Sequence, residues 1–97
     1  MSKIVATTKF SFTPENMQAG KELLLSFVGP SSTQEGCEFY NVYQDNEKHN
    51  EFLIVDGWDS PEHLQQHIDS DEIVAIVAQI DPLLTQPKQL STFTQIS

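Results

Sequence analysis

The strongest constraint on the fold is the order in which two kinds of side-chain period follow each other along the 97 residues. Segments with the side-chain pattern of strands occur at residues 4–12, 37–44, 51–58 and 89–96, and the first of them repeats every second position. Apolar residues at helical spacing lie between the first and second of these segments, and between the third and fourth. The order β-α-β-β-α-β predicts a ferredoxin-like α+β fold, an antiparallel sheet with helices on one face.

Capping residues followed by proline mark where the helices are expected to begin. Thr13-Pro14 predicts the start of the first helix, which Gly29-Pro30 is expected to end before a polar loop over residues 31–36. Ser60-Pro61 predicts a second helix through Asp69. Ser70 is then expected to cap another helical segment, because an acidic first turn and the 3–4 spacing of apolar residues outweigh the β-branched residues at 73–77.

Three of the four predicted strands carry apolar side chains on both faces. The third strand has Phe52, Ile54 and Trp58 on one face, and Leu53 and Val55 on the other. Helices cover only one face of such a sheet, so the second face would leave a large apolar patch in water. We therefore expect two copies to pack sheet against sheet as a homodimer.

The charge balance excludes several classes of function. Fourteen acidic residues stand against five basic residues, which gives a net charge of −9. Without a basic patch, the chain is expected to bind neither nucleic acid nor an anionic membrane. Cys37 is the single cysteine, so we expect no internal disulfide. The chain shows no long apolar run and no signal-peptide core, which predicts one cytoplasmic domain over residues 1–97.

Local patterns along nearly the whole chain resemble the antibiotic biosynthesis monooxygenase family. They are Glu35-Gly36-Cys37 with Phe39 and Tyr40 at the start of strand two, Asp56-Gly57-Trp58 with Ser60, Glu62 and His67, and Pro82-Leu83-Leu84 with Pro87 before the last strand. The resemblance implies that the ferredoxin-like domain forms a dimeric α/β barrel.

The resemblance leaves the chemistry open. It implies cofactor-independent oxygenation of quinols or polycyclic phenols, haem degradation, or the processing of a small signalling molecule. Haem-degrading relatives carry an Asn on the first strand, where this chain has Ala6-Thr7-Thr8-Lys9, so haem degradation is disfavoured. Ile54 stands where some antibiotic-pathway members have Asn, and Glu72 stands near the place of a second His in many relatives.

His67 is the first candidate for catalysis. It follows Leu64 by three residues and precedes Ile68, which places it near the apolar face of its helix. A half-buried imidazole titrates near neutral pH and can take a proton from an acidic phenol. The same position also suits a core histidine whose ring bonds a backbone carbonyl.

Trp58, at the end of the third strand, is the second candidate for catalysis. Its indole can form a stacking wall for an aromatic substrate and offers one N–H to a developing oxyanion, although core packing explains it equally well. Asp56 shares the same face two residues earlier. A carboxylate there is either a partnered structural acid or a pocket acid, and we favour a structural role at the dimer interface.

Substrate contacts are expected from Trp58, Ile54, Tyr40 and His63. His63 and His67 lie four residues apart on one helix, but no third ligand accompanies them, so no metal site is expected. The chain also lacks a Gly-rich phosphate loop after a strand, and we expect no cofactor.

These observations predict a cofactor-independent monooxygenase that uses molecular oxygen on a quinol or phenolic small molecule. His67 would remove a proton from the substrate, and the resulting anion would pass an electron directly to oxygen. Two alternatives remain, namely an isomerase or related enzyme acting on a small carbonyl metabolite, and a non-catalytic dimer that binds a small ligand. Oxygen consumption with a reduced quinone separates the first hypothesis from the other two.

Overall fold

A four-stranded antiparallel sheet forms the base of the fold in a computed structural model that describes residues 3–97. Its strands are β1 Ile4–Ser11, β2 Cys37–Gln44, β3 Glu51–Trp58 and β4 Gln89–Thr94. They lie in the order β2-β3-β1-β4, with β1 paired to both β3 and β4. This topology confirms the predicted ferredoxin-like α+β fold.

Helices cover one face of the sheet and provide the other half of the core. They are α1 Met17–Leu25, α2 Val28–Ser32, α3 Pro61–Asp69 and α4 Asp71–Ile80, with 3₁₀ turns at Pro14–Asn16 and Asp81–Leu83. The core contains side chains from both layers, among them Phe10 and Ile54 from the sheet and Leu24, Leu64 and Ile80 from the helices. None of the helices in residues 3–97 has the length and apolar character needed to span a membrane.

The boundaries of the first helical region differ from the prediction. Thr13 precedes a 3₁₀ turn at Pro14 and makes no capping hydrogen bond with its side chain. The helix ends at Leu25, and Gly29-Pro30 lies inside α2 rather than ending α1. Pro30 is tolerated there because it is the third residue of the helix, where a backbone N–H would have no partner within the helix.

The second helical region agrees more closely with the prediction. Ser60 caps α3, since its hydroxyl oxygen accepts a hydrogen bond from the His63 backbone N–H at 3.2 Å. The segment after Ser70 is helical as expected, and it buries Ile73 and Ile80. Ser70 stands at the N-terminal boundary of α4, but its hydroxyl donates to the carbonyl oxygen of His67 instead of capping that helix.

The face of the sheet that points away from the helices, called the outer face below, has a large apolar patch that is uncovered in a single chain. It carries Val5, Phe39, Tyr43, Leu53, Val55 and Phe93, which the register of the four strands brings side by side. Gly57 lies opposite Phe39, and a side chain there would collide with the Phe39 ring. The two-sided pattern predicted for β2 and β3 is thus confirmed.

Two strand boundaries differ from the prediction. The last strand ends at Thr94 instead of Ile96, and β1 ends at Ser11 instead of Phe12.

Candidate functional site

A cavity of about 240 Å³ lies between the sheet and the helices. This volume is slightly below the range of about 300–1,000 Å³ that is usual for drug-sized ligands, and it suits a molecule of one or two rings. Most of its wall is apolar. The polar side chains in the wall are Thr8, Tyr40, Asp56, His67 and Lys88.

The cavity has an open end and a closed end. Val74 on α4 and Leu90 on β4 are half exposed and border the open end, where Lys88 pairs with Asp81 at 3.1 Å. Tyr40 and Asp56 are buried and lie directly opposite each other in the pairing of β2 with β3. A ligand therefore enters past apolar side chains and meets the polar groups at the inner end.

Asp56 is a buried carboxyl group in the wall of the cavity. Only 3% of the residue is exposed, because its neighbours across the sheet are Ala6 on one side and Tyr40 on the other. Its Oδ2 accepts a hydrogen bond from Trp58 Nε1 at 2.6 Å, which is the only hydrogen bond of this carboxyl group among residues 3–97 and leaves Oδ1 without a partner there. Burial raises the pKa of Asp56 to about 6, an effect that the Trp58 hydrogen bond only partly offsets.

The position of Asp56 corrects the role that we favoured for it from the sequence. Residues of β3 alternate between the two faces of the sheet, and Asp56 lies with Ile54 and Trp58 on the face that the helices cover. It is therefore not part of the outer face: it lies in the cavity wall, and the hydrogen bond from Trp58 gives it the partner expected of a structural acid.

His67 reaches the same cavity from α3, and only 6% of the residue is exposed. Its Nδ1 is 2.6 Å from Oε1 of Gln34, a residue of the loop between α2 and β2. Burial lowers the pKa of His67 to about 4, so the imidazole is neutral at physiological pH. The bond to a backbone carbonyl that the alternative of a core histidine implied is absent in residues 3–97, and a side-chain amide takes its place.

Trp58 does not line the cavity, so it does not form the stacking wall that the sequence suggested. Its side chain is fully buried, and its ring lies 4.7 Å from the His67 ring, measured between centroids. The indole N–H is already used by Asp56. Trp58 therefore packs against His67 and hydrogen-bonds Asp56 without lining the cavity itself.

His63 lies outside the cavity as well, although it was expected to contact the substrate. Its Nδ1 is 2.5 Å from Asp59 Oδ1, and Nε2 is 3.5 Å from Glu35 Oε1. The hydrogen bond to Asp59 raises the pKa of His63. Gly36, with a φ of +86°, brings the backbone so close to His63 and Asp59 that a side chain would not fit. This contact holds the loop that carries Gln34 against the start of α3.

Of the predicted site residues, the structure brings Ile54, Tyr40 and His67 together around one cavity and places Trp58 and His63 elsewhere. The sequence analysis missed Gln34 and undervalued Asp56. For Asp56 the signal was present, since an acid on an apolar strand face, two residues from Trp58, has to be buried with it. Within residues 3–97, no three His, Cys, Asp or Glu side chains are grouped so that they could hold a metal ion.

Fold and site together define a small α+β protein whose sheet and helices enclose an apolar cavity with a buried carboxyl group at its inner end. Residues 3–79 match the family described as antibiotic biosynthesis monooxygenase. The chain belongs to this family, which confirms the resemblance seen in its sequence.

Individual relatives agree with this assignment. The uncharacterised protein sll1783 of Synechocystis sp. is 24% identical over 90 residues, which are 93% of this chain but 61% of the cyanobacterial protein. The solved structure of Rv0793 from Mycobacterium tuberculosis has a TM-score of 0.93 at 23% identity, covering 99% of this chain and 97% of that one. A conserved protein from Methanosarcina mazei Go1 has a TM-score of 0.90 at 27% identity, covering 96% and 92%. These structures share the fold.

Proposed function

We propose that this protein is a cofactor-independent monooxygenase that acts on a quinol or phenolic molecule of one or two rings. The observation that carries the proposal is the unpartnered oxygen of a buried carboxyl group, Asp56 Oδ1, in the wall of a mostly apolar cavity. Such a group can take the proton of a phenolic hydroxyl away from competing water. The family model gives independent support for oxygenase chemistry.

Asp56 is a better candidate for the base than His67, on which the sequence analysis relied. A general base works best when its pKa lies near the working pH. The pKa of Asp56 is raised to about 6, whereas the pKa of His67 is lowered to about 4. At pH 7 both groups are unprotonated, but Asp56 binds a proton about 100-fold more tightly. We therefore assign proton removal to Asp56 and substrate binding to His67.

The proposed reaction balances without a cofactor. Asp56 takes the hydroxyl proton, and the resulting phenolate passes one electron to oxygen, which gives a semiquinone radical and superoxide. The two radicals join through a new carbon–oxygen bond, and Asp56 returns its proton to the peroxide. The O–O bond then breaks as the ring C–H proton leaves, so one oxygen atom stays on carbon and the other becomes water. The substrate loses four electrons and oxygen gains four.

Oxygen uptake tests the proposal directly. With 1,4-naphthohydroquinone, the protein should consume oxygen faster than autoxidation does without protein. It should use one oxygen molecule per substrate molecule and form the hydroxynaphthoquinone. With ¹⁸O₂, mass spectrometry should find one labelled atom in the product and one in water. Uptake at the autoxidation rate for one-ring and two-ring hydroquinones would contradict the proposal. Saturable binding without uptake would then favour a ligand-binding protein.

We also propose that the active form is a homodimer joined through the outer face. The exposed side chains of Phe39, Tyr43, Leu53 and Phe93 would otherwise remain in water. An interface of this kind commonly buries more than about 2,000 Å² in total. The sheet-to-sheet arrangement would form the dimeric barrel that the family resemblance implies.

Leu53→Glu should convert the dimer into a monomer at micromolar concentration, because pairing would bury an unpaired charge in the middle of the interface. Light scattering measures the change, and circular dichroism checks that the chain remains folded. Leu25→Glu is the matched control, since Leu25 is also an exposed leucine but lies on α1. A monomeric parent protein, or a dimer that survives Leu53→Glu, would contradict the interface.

A further inference from the structure

Gln34 and Ser70 form a closed ring of hydrogen bonds with His67. Gln34 Oε1 lies 2.6 Å from His67 Nδ1, and Gln34 Nε2 lies 3.2 Å from the Ser70 hydroxyl oxygen. The Ser70 hydroxyl lies 2.9 Å from the carbonyl oxygen of His67. The ring therefore begins at the side chain of His67 and ends at its own backbone.

This arrangement determines which nitrogen of His67 carries the proton. The carbonyl of His67 can only accept, so the one hydroxyl proton of Ser70 is directed to it. Ser70 must then accept from Gln34, which turns the amide nitrogen toward Ser70 and the amide oxygen toward His67. An amide oxygen can only accept, so Nδ1 of His67 carries the hydrogen and Nε2 carries a lone pair.

Two of the polar groups at the inner end of the cavity, His67 and Asp56, thus share one property. Nε2 of the neutral His67 and Oδ1 of Asp56 both accept hydrogen bonds, and neither has a partner among residues 3–97. The indole N–H of Trp58, which could have served as a donor, is used by Asp56 Oδ2. A ligand that reaches these two acceptors has to supply the hydrogens itself, whereas the hydroxyl of Tyr40 in the same wall can donate as well as accept.

We infer that Gln34 holds His67 as a hydrogen-bond acceptor toward the cavity, so that the site selects the hydroxyl-bearing, reduced form of an aromatic ligand over its carbonyl-bearing, oxidised form. The inference rests on the proposed function, and it narrows the substrate class to hydroquinones and related aromatic diols. A hydroxyl group can donate to His67 and to Asp56. A quinone oxygen cannot donate. It would face the lone pairs of His67 Nε2 and of the charged Asp56 carboxylate and leave both acceptors unpaired.

Anaerobic calorimetry tests this selection without turnover. The parent protein should bind 1,4-naphthohydroquinone about 10–100-fold more tightly than 1,4-naphthoquinone, the usual effect of one or two hydrogen bonds to acceptors of which one is charged. Equal affinity for the two forms would overturn the inference. Selective binding without oxygen uptake would support the inference but contradict the proposed function. Oxygen uptake without selective binding would support the proposed function but contradict the inference.

Gln34→Glu tests the role of Gln34. A carboxylate beside Nδ1 stabilises the imidazolium, so Nε2 becomes a donor and the preference for the hydroquinone should fall by about 10-fold or more. The pKa of His67, followed by NMR, should rise by about three, from about 4 to near 7. The affinity ratio is therefore measured at about pH 6.5, where the variant's imidazole is mostly charged and the parent's is neutral. Gln65→Glu, on the exposed side of α3, is the control for added charge and should change neither quantity. An unchanged ratio and an unchanged pKa in Gln34→Glu, or a parent His67 protonated at Nε2, would overturn the inference.

Discussion

Asp56→Asn should lower kcat/KM for a hydroquinone by about 10²–10⁴-fold and at the same time raise the melting temperature of the protein. The fall in activity is the usual effect of removing a positioned general base. Asparagine has nearly the same shape, and its amide oxygen can still accept the hydrogen bond of Trp58 Nε1. The cavity and its support therefore stay in place, and only the ability to take a proton is lost.

The gain in stability follows from the raised pKa of Asp56. The folded chain binds this proton more tightly than the unfolded chain, so its stability falls as the pH rises from about 4 to 6. The difference between a pKa of about 6 and the ordinary value of 3.8 corresponds to at most about 3 kcal/mol above pH 6. Asparagine removes this cost. The melting temperatures of variant and parent should be similar near pH 4 and separate by several degrees above pH 6.

The pH dependence of kcat/KM in the parent protein distinguishes the two candidate bases. With Asp56 as the base, kcat/KM should fall tenfold per pH unit below about 6, because the carboxyl group becomes protonated. With His67 as the base, the fall would begin only near pH 4. Full activity in Asp56→Asn, or a midpoint near 4, would refute the assignment of the base to Asp56.

Trp58→Ala should remove about 3–5 kcal/mol from the free energy of unfolding, a large part of the stability of a domain this size. The indole is fully buried, and its loss leaves a void behind His67 and an unpaired oxygen on Asp56. Urea unfolding followed by circular dichroism measures the loss. If Trp58 were instead a wall of the substrate site, KM would rise while stability stayed close to that of the parent.

Trp58→Phe is the matched variant for this experiment. It keeps a ring against His67 but removes the N–H that Asp56 accepts. The loss of stability should be much smaller than in Trp58→Ala. The pKa of Asp56 should rise further, because the hydrogen bond that favours its charged form is gone, and the midpoint of the kcat/KM profile should move to higher pH.

The fold was largely predictable because its signals are local. The alternation of β3 between Ile54 and Leu53, and the cap of α3 at Ser60, depend on residues that are neighbours in the chain. The failures were also local. Gly29-Pro30 was interpreted as a helix stop, but a proline in the first turn of a new helix fits equally well. The helix predicted after Ser70 was confirmed in spite of its β-branched run, because Ile73 and Ile80 are buried against the rest of the core.

The site was predictable only in part, because its properties arise from contacts between distant residues. Leu64 and Ile68 placed His67 near the core, and the structure confirms that position. Its pKa depends on how deeply it is buried, and its tautomer depends on Gln34, which is 33 residues away in the chain. Neither quantity follows from a helical pattern.

Along β3, neighbouring residues lie on opposite faces of the sheet and contribute to different surfaces. Ile54 and Asp56 belong to the cavity, whereas Leu53 and Val55 belong to the outer face. Substitutions at alternate positions can therefore change substrate choice and self-association in separate evolutionary steps. A deletion or insertion of a single residue within this strand would exchange the two sets at once, placing a carboxyl group on the outer face and leaving the cavity without its acid. A change in the length of β3 therefore disturbs both surfaces, whereas a single substitution disturbs one.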